Sequence, residues 1–187
     1  MSPLPQLVQA LLDPKAYPEI PQQIELVQTQ MSFVFLTDSY VYKVKKPVNL
    51  GYLDYTTLEK RKFYCQREVK LNRRLCPDAY LGVVSITQDK GNIVIGGRGK
   101  VIEYAVKMRR LPREKMMDAL LGQNQVSTEM IAGVAERLAQ FHRRAETSDA
   151  ISQFGSLDIV TQNTEENFTQ TEKYISQTIS EKKYQQI

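Results

Sequence analysis

Six short strand-like runs lie between Ile24 and Met108, and a single capped helical stretch divides them three and three. The runs are Ile24 to Thr29, Ser32 to Leu36, Tyr40 to Lys45, Leu81 to Thr87, Ile93 to Ile95 and Val101 to Met108. Each is rich in β-branched and aromatic residues and is bounded by polar or glycine-containing segments. Thr37-Asp38-Ser39 predicts a turn between the second and third, and Asp89-Lys90-Gly91-Asn92 one between the fourth and fifth. The dividing stretch has Thr56 as cap and Glu59 three residues on, a capping box, so a helix is expected from Thr57. It should run to about Leu75, with Pro77 as its stop. This order predicts a small mixed sheet with one helix, joined at Leu111-Pro112 to a helical region.

The flanks differ. Pro3 to Leu12 has the apolar spacing of a short amphipathic helix, and Pro14, Pro18 and Pro21 make an extended connection after it. From Pro112 onward only helices are predicted, over Arg113 to Leu121 and Ser127 to Glu146, the second with Ile131, Val134, Leu138 and Phe141 along one stripe. Glu165 to Ile187 reads as helical or helix-connecting sequence with no stop signal after Tyr184. The expected class is α+β, with residues 1–110 forming the sheet unit and 111–187 the start of a helical one. The sequence reads as interrupted, the N-terminal portion of something longer.

Composition narrows the setting. The 187 residues are 42% hydrophobic and 25% charged, ordinary for a globular chain. No apolar run approaches the roughly 20 residues of a membrane span, and Met1 to Lys15 does not read as a signal peptide. Cys65 and Cys76 are expected on one helix, separated by roughly 16 Å and beyond disulfide reach. A cytoplasmic setting is the simplest. The net charge of +4 is spread over scattered basic pairs, which argues against nucleic acid as the partner. Steep salt dependence of nucleic-acid binding would reverse that judgement.

Strand alternation places Val41 and Lys43 on one face and Tyr42 and Val44 on the other. A small apolar residue two positions before a lysine is the arrangement kinases use, with the apolar side chain against adenine and the lysine on the phosphates. The plainer alternative is an exposed edge-strand lysine, and Lys45 shares the same face. Glu68 lies among Tyr64, Cys65, Leu71 and Leu75 at helical spacing, on or beside an apolar face. Burying it unpaired is costly, so it should meet a cation from the sheet, Lys43 being the nearest in order. A local pair with Arg61 or Arg67 is the alternative. Val101 to Pro112 then offers a hinge, in which Met108 packs behind a base and the Arg109 to Leu111 backbone meets its edge. A plain core strand with an ordinary exit loop would look the same.

Together these segments resemble the aminoglycoside phosphotransferase and choline-kinase-like superfamily, closest to an uncharacterised bacterial subgroup. The likeness is carried by Tyr40-Val41-Tyr42-Lys43-Val44-Lys45-Lys46-Pro47, by Leu53 to Arg61, by Glu68 to Leu75 and by Tyr104 to Pro112. It extends from about Ile24 to Glu146. The resemblance implies a kinase-like N-lobe followed by an incomplete helical C-lobe. It also implies an ATP- and magnesium-dependent transferase acting on a small-molecule acceptor, and in longer members a downstream P-loop domain.

Residue by residue, the resemblance makes Lys43 the phosphate-binding lysine, Glu68 its partner and Arg109, Arg110 and Leu111 the hinge. Val41 and Met108 would line the base, and Ser32, in a glycine-free turn, would lie near the phosphates. The family's His-Gly-Asp segment has no counterpart, because His142 is the only histidine and Arg143 follows it. Neither a catalytic base nor a metal ligand is therefore expected in this stretch, which alone should not turn over. Gly96-Gly97-Arg98-Gly99-Lys100 lacks a following helix, so a hairpin connection is expected there, not a phosphate loop. The alternative function is a non-catalytic nucleotide-binding or protein-interaction module.

Overall fold

The computed structural model describes residues 5–186. The fold is α+β: a six-stranded antiparallel sheet followed by helices. The strands are β1 (Glu25–Gln28), β2 (Ser32–Leu36), β3 (Tyr40–Lys45), β4 (Tyr80–Asp89), β5 (Asn92–Ile95) and β6 (Lys100–Arg109). Their order across the sheet is β1-β2-β3-β6-β4-β5. Since β6 pairs antiparallel with both β3 and β4, these two run in the same direction. Helix α2 (Leu58–Asn72) makes the crossover between them over one face.

The turns are built locally. Thr29 and Thr37 close the first two hairpins in the same way, each hydroxyl accepting the amide three residues on, from Ser32 and Tyr40. A threonine that satisfies its own turn makes glycine unnecessary there. Between β4 and β5, Lys90 and Gly91 both have positive φ, 46° and 87°, as a type I′ turn requires.

The two faces of the sheet differ. One packs Phe35, Tyr42, Val44, Ile86 and Ala105 against Val8 and Leu11, around helix α1 (Gln6–Ala10), and against Tyr17. This is the larger of the two hydrophobic clusters, and the Tyr42 hydroxyl within it donates to the Glu19 carboxylate. Pro3 and Leu4 of the predicted first helix lie outside the described residues. The other face carries a smaller cluster, Val106 with Cys65 and Val69 of α2. The charged side chains of Lys43, Lys45, Glu68, Arg61 and Glu103 meet on that face as well.

Helix α2 begins one residue later than its sequence suggests. Thr57, not Thr56, is the cap, its hydroxyl accepting from the Lys60 amide at 3.2 Å. Thr56 is committed elsewhere, since its amide and hydroxyl both donate to Asp54. The helix also ends at Asn72, leaving Leu75 and Cys76 in the following turn. Both cysteines are free, Cys65 buried and Cys76 exposed. Its buried stripe runs Arg61, Cys65, Val69, whereas Leu71 and Leu75 are exposed.

Beyond the sheet, the predicted Arg113 to Leu121 helix is a short 3-10 turn (Arg113–Lys115) followed by α3 (Met117–Gly122). Then comes α4 (Thr128–Arg144), whose apolar stripe is present but exposed at Ile131, Val134 and Leu138. The chain divides into two compact units, the first reaching Glu136 and the second starting at Arg137, so the division falls within α4. The second unit holds the end of α4 with α5 (Asp149–Gln153), α6 (Leu157–Glu172) and α7 (Glu181–Tyr184). Serine caps each of these last three, at Ser148, Ser156 and Ser180. No helix is long and apolar enough to cross a membrane among the described residues.

Candidate functional site

Alternation along β3 sends Tyr42 and Val44 into the larger core, each at most 1% exposed. Val41, Lys43 and Lys45 therefore line the opposite face, under α2. Across the sheet Val41 stands opposite Met108, and Lys43 opposite Val106. Met108 packs on the small cluster around Cys65. The strip thus runs from an apolar end at Val41 and Met108 to a charged end at Lys45.

Glu68 projects from α2 onto this strip. Its Oε1 accepts from Lys43 Nζ at 2.9 Å and its Oε2 from Lys45 Nζ at 2.6 Å. The expected cross-element contact is present, and a second lysine shares the carboxylate. Arg61, the local alternative, turns instead to Glu103. The two lysines are not equivalent: the Lys43 side chain is 32% exposed and that of Lys45 only 3%. Lys45 Nζ also lies 4.9 Å from the centre of the Tyr55 ring, a cation–π contact.

Burial by itself would lower the Lys45 pKa, but the hydrogen bond and charge of Glu68 outweigh it and raise the net value. Burial likewise pushes Glu68 upward, and its bonds to Lys45 and Lys43 more than reverse this. Both groups are thereby held ionised. Two ammonium groups on one carboxylate leave a surplus of one positive charge in the cluster. Cys65 sits beside it with its thiol pushed up to about 11 by burial, so it is a neutral packing group at neutral pH.

A second ion pair lies on the same face. Arg61 Nε donates to Glu103 Oε2 at 2.8 Å, and Nη1 donates to the carbonyls of Tyr55 and Thr56. The side chains are 10% and 7% exposed. Glu103 reaches this face because β6 is irregular there: Ile86 is opposite Glu103 but Thr87 is opposite Val101, so Ile102 is extra. The Tyr55 and Thr56 loop is thereby tied to the sheet, which also fixes the ring over Lys45.

The other predicted positions fall as follows. Ser32 is 2% exposed, and its amide is used by Thr29 within the hairpin. At the exit of β6 the Arg109 amide donates to Ala79 O and the Arg110 amide to Ser39 O, while Arg110 Nη1 donates to Thr37 O. The two Arg110 bonds tie the predicted hinge to the β2–β3 turn and the Arg109 bond ties it to the residue before β4, while Leu111 beyond them is 48% exposed. His142 stacks edge-on against Phe141, in the second unit. The glycine run has a packing cause. A Cβ on Gly97 would fall 2.5 Å from Thr87 Oγ1, and one on Gly99 would fall 2.3 Å from Gln88 O.

No family model matches the chain. It is similar to uncharacterized proteins of Mycobacterium bovis and of two strains of Mycobacterium tuberculosis, at 27% identity over 157 residues. The match takes in 84% of this chain but spans only 30% of each relative's length. No solved structure matches.

Sequence reasoning anticipated the Lys43–Glu68 contact but missed three parts of this face. The sharing of Glu68 by Lys45 was visible only as a common strand face. Tyr55 gave no signal, being assigned to a loop. The Arg61–Glu103 pair was hidden by the bulge.

Proposed function

We propose that this chain is the nucleotide-holding part of a kinase-like, ATP-dependent phosphotransferase. The observation that carries the reading is the Lys43–Glu68 contact, 2.9 Å long and open to solvent at the lysine. Phosphoryl transfer asks little covalent chemistry of a protein, so catalysis rests on positioning and charge neutralisation. A lysine ammonium, compact and carrying three donors, suits a triphosphate. Glu68 fixes where that ammonium stands, and Val41 beside Met108 offers an apolar surface for the base. Arg109 to Leu111 would form the hinge at the base's edge.

Magnesium accompanies ATP in such chemistry and is commonly held by one or two carboxylates together with the phosphates. Among the described residues no three His, Cys, Asp or Glu side chains converge, so no metal ligand is assigned to them. No residue of the chain is assigned to the transfer step either. The acceptor class we propose is a small molecule bearing a hydroxyl or amine, acted on by a protein of the longer kind the relatives represent.

The test is calorimetric titration of the chain with ATP and, separately, adenosine. ATP should bind more tightly, and Lys43→Ala should remove about tenfold to a hundredfold of ATP affinity while sparing adenosine, the scale of a hydrogen bond to a charged group. Equal affinity for ATP and adenosine in the unaltered chain would sink the reading. So would full retention of ATP affinity by Lys43→Ala.

A further inference from the structure

Lys45 is the part of this face that the nucleotide reading does not use. It takes its own oxygen of Glu68, at 2.6 Å, while Lys43 takes the other at 2.9 Å. It is enclosed, with 3% of its side chain exposed and the Tyr55 ring 4.9 Å from its amine. Lys43, at 32%, has a route to solvent. We propose that Lys45 is the standing counter-ion of Glu68, a positioning residue that lets Lys43 leave the carboxylate and carry its charge to a bound phosphate.

The argument is one of charge. With a single lysine, the pair with Glu68 would be neutral, and each ionic bond gained by a phosphate would be lost by a mostly buried carboxylate. Stranding such a carboxylate is strongly unfavourable. With Lys45 in place, Glu68 keeps a short charge-assisted bond whether or not Lys43 stays. The surplus positive charge then resides on the lysine that solvent, and hence an anion, can reach. Burial of Lys45 also keeps it from competing for the same ligand.

This inference rests on the nucleotide reading, and its test separates the two. Affinity for ATP and for adenosine is measured in the unaltered chain, in Lys45→Met and in Lys45→Met combined with Glu68→Gln. Methionine preserves the length of the buried stem but removes the charge, leaving Lys43 as the only cation on Glu68. ATP affinity should fall about tenfold in the single variant, the lower end of what a bond to a charged group contributes, with adenosine unchanged. Neutralising Glu68 in the double variant frees Lys43 again, so ATP affinity should return to within about threefold of the unaltered chain. A purely structural Lys45 would give no such rescue.

ATP bound no better than adenosine by the unaltered chain overturns the nucleotide reading and this proposal together. ATP affinity that survives Lys45→Met, or that stays low in the double variant while adenosine still binds, overturns the proposal alone. Should Lys45→Met fail to fold, the unaltered chain decides through its lysine side-chain nitrogen resonances. On adding ATP the Lys43 Nζ signal should move and that of Lys45 should stay. Equal movement of both rejects the assignment.

Discussion

Helix α2 carries two charged side chains down onto the sheet, and they end in different states. Arg61 meets one carboxylate, Glu103, and two backbone carbonyls, so its network is neutral and closed. Glu68 meets two lysines, one of them partly exposed, so its network keeps a positive charge and an opening. A buried ion pair is by itself weak evidence for function, since structural pairs look similar in a contact survey. What separates these two is the remainder after pairing. The first is a strut that fixes the loop carrying Tyr55, and the second holds charge that a ligand could use.

The largest effect should come from breaking the strut. Glu103→Ala leaves the Arg61 guanidinium buried without its carboxylate, which costs about 3–5 kcal/mol. Urea unfolding should show this loss as a lower midpoint with an unchanged slope. A cost near zero would mean that water reaches Arg61, and the contrast between the two networks would disappear.

The second effect divides the two lysines. Lys45→Met removes the enclosed partner of Glu68 and should cost about 1–3 kcal/mol, as for a hydrogen bond to a charged group. Lys43→Met should cost clearly less, because solvent already shares that ammonium. Equal losses from the same unfolding experiment would show that exposure does not distinguish them.

Acid should then act through Glu68. Its pKa is lowered in the fold, burial being outweighed by the bonds to Lys45 and Lys43, so its stabilising contribution is fully present above the ordinary value of 4.5. That contribution is lost as pH falls through the depressed folded value. Thermal unfolding of Glu68→Gln should therefore decline less between pH 5 and the acid limit than unfolding of the unaltered chain. Parallel decline in the two would mean that other carboxylates carry the acid response.

How much of this was readable in advance follows from which interactions are local. The strands and turns were legible, because alternation and turn chemistry act over a few residues. Glu68 was legible because a carboxylate at that position on an amphipathic helix needs a partner, and strand alternation offered Lys43 on the facing side. Glu103 was not, since its direction depends on the extra residue Ile102 in β6, and a bulge leaves no mark in a period-two pattern. The cap of α2 was misplaced by one residue because Asp54 competes for Thr56. The burial of Lys45 depends on Tyr55 arriving from a loop, which no periodicity governs. Long-range partners set the closed network, and short-range rules revealed half of the open one.

The smallest effect belongs to the pair with the best local geometry. Arg113 Nη1 and Nη2 meet Asp118 Oδ1 and Oδ2, both at 2.7 Å, a two-pronged contact of the kind that is strong when dry. Here the side chains are 67% exposed on each side. The guanidinium beside Asp118 holds its carboxyl down at about 2, yet water and salt compete for both groups. Asp118→Asn should leave the unfolding midpoint indistinguishable from that of the unaltered chain at 0.15 M salt. A loss comparable to that of Glu103→Ala would mean that fork geometry outweighs burial. Burial would then no longer explain why the Arg61 network acts as a strut.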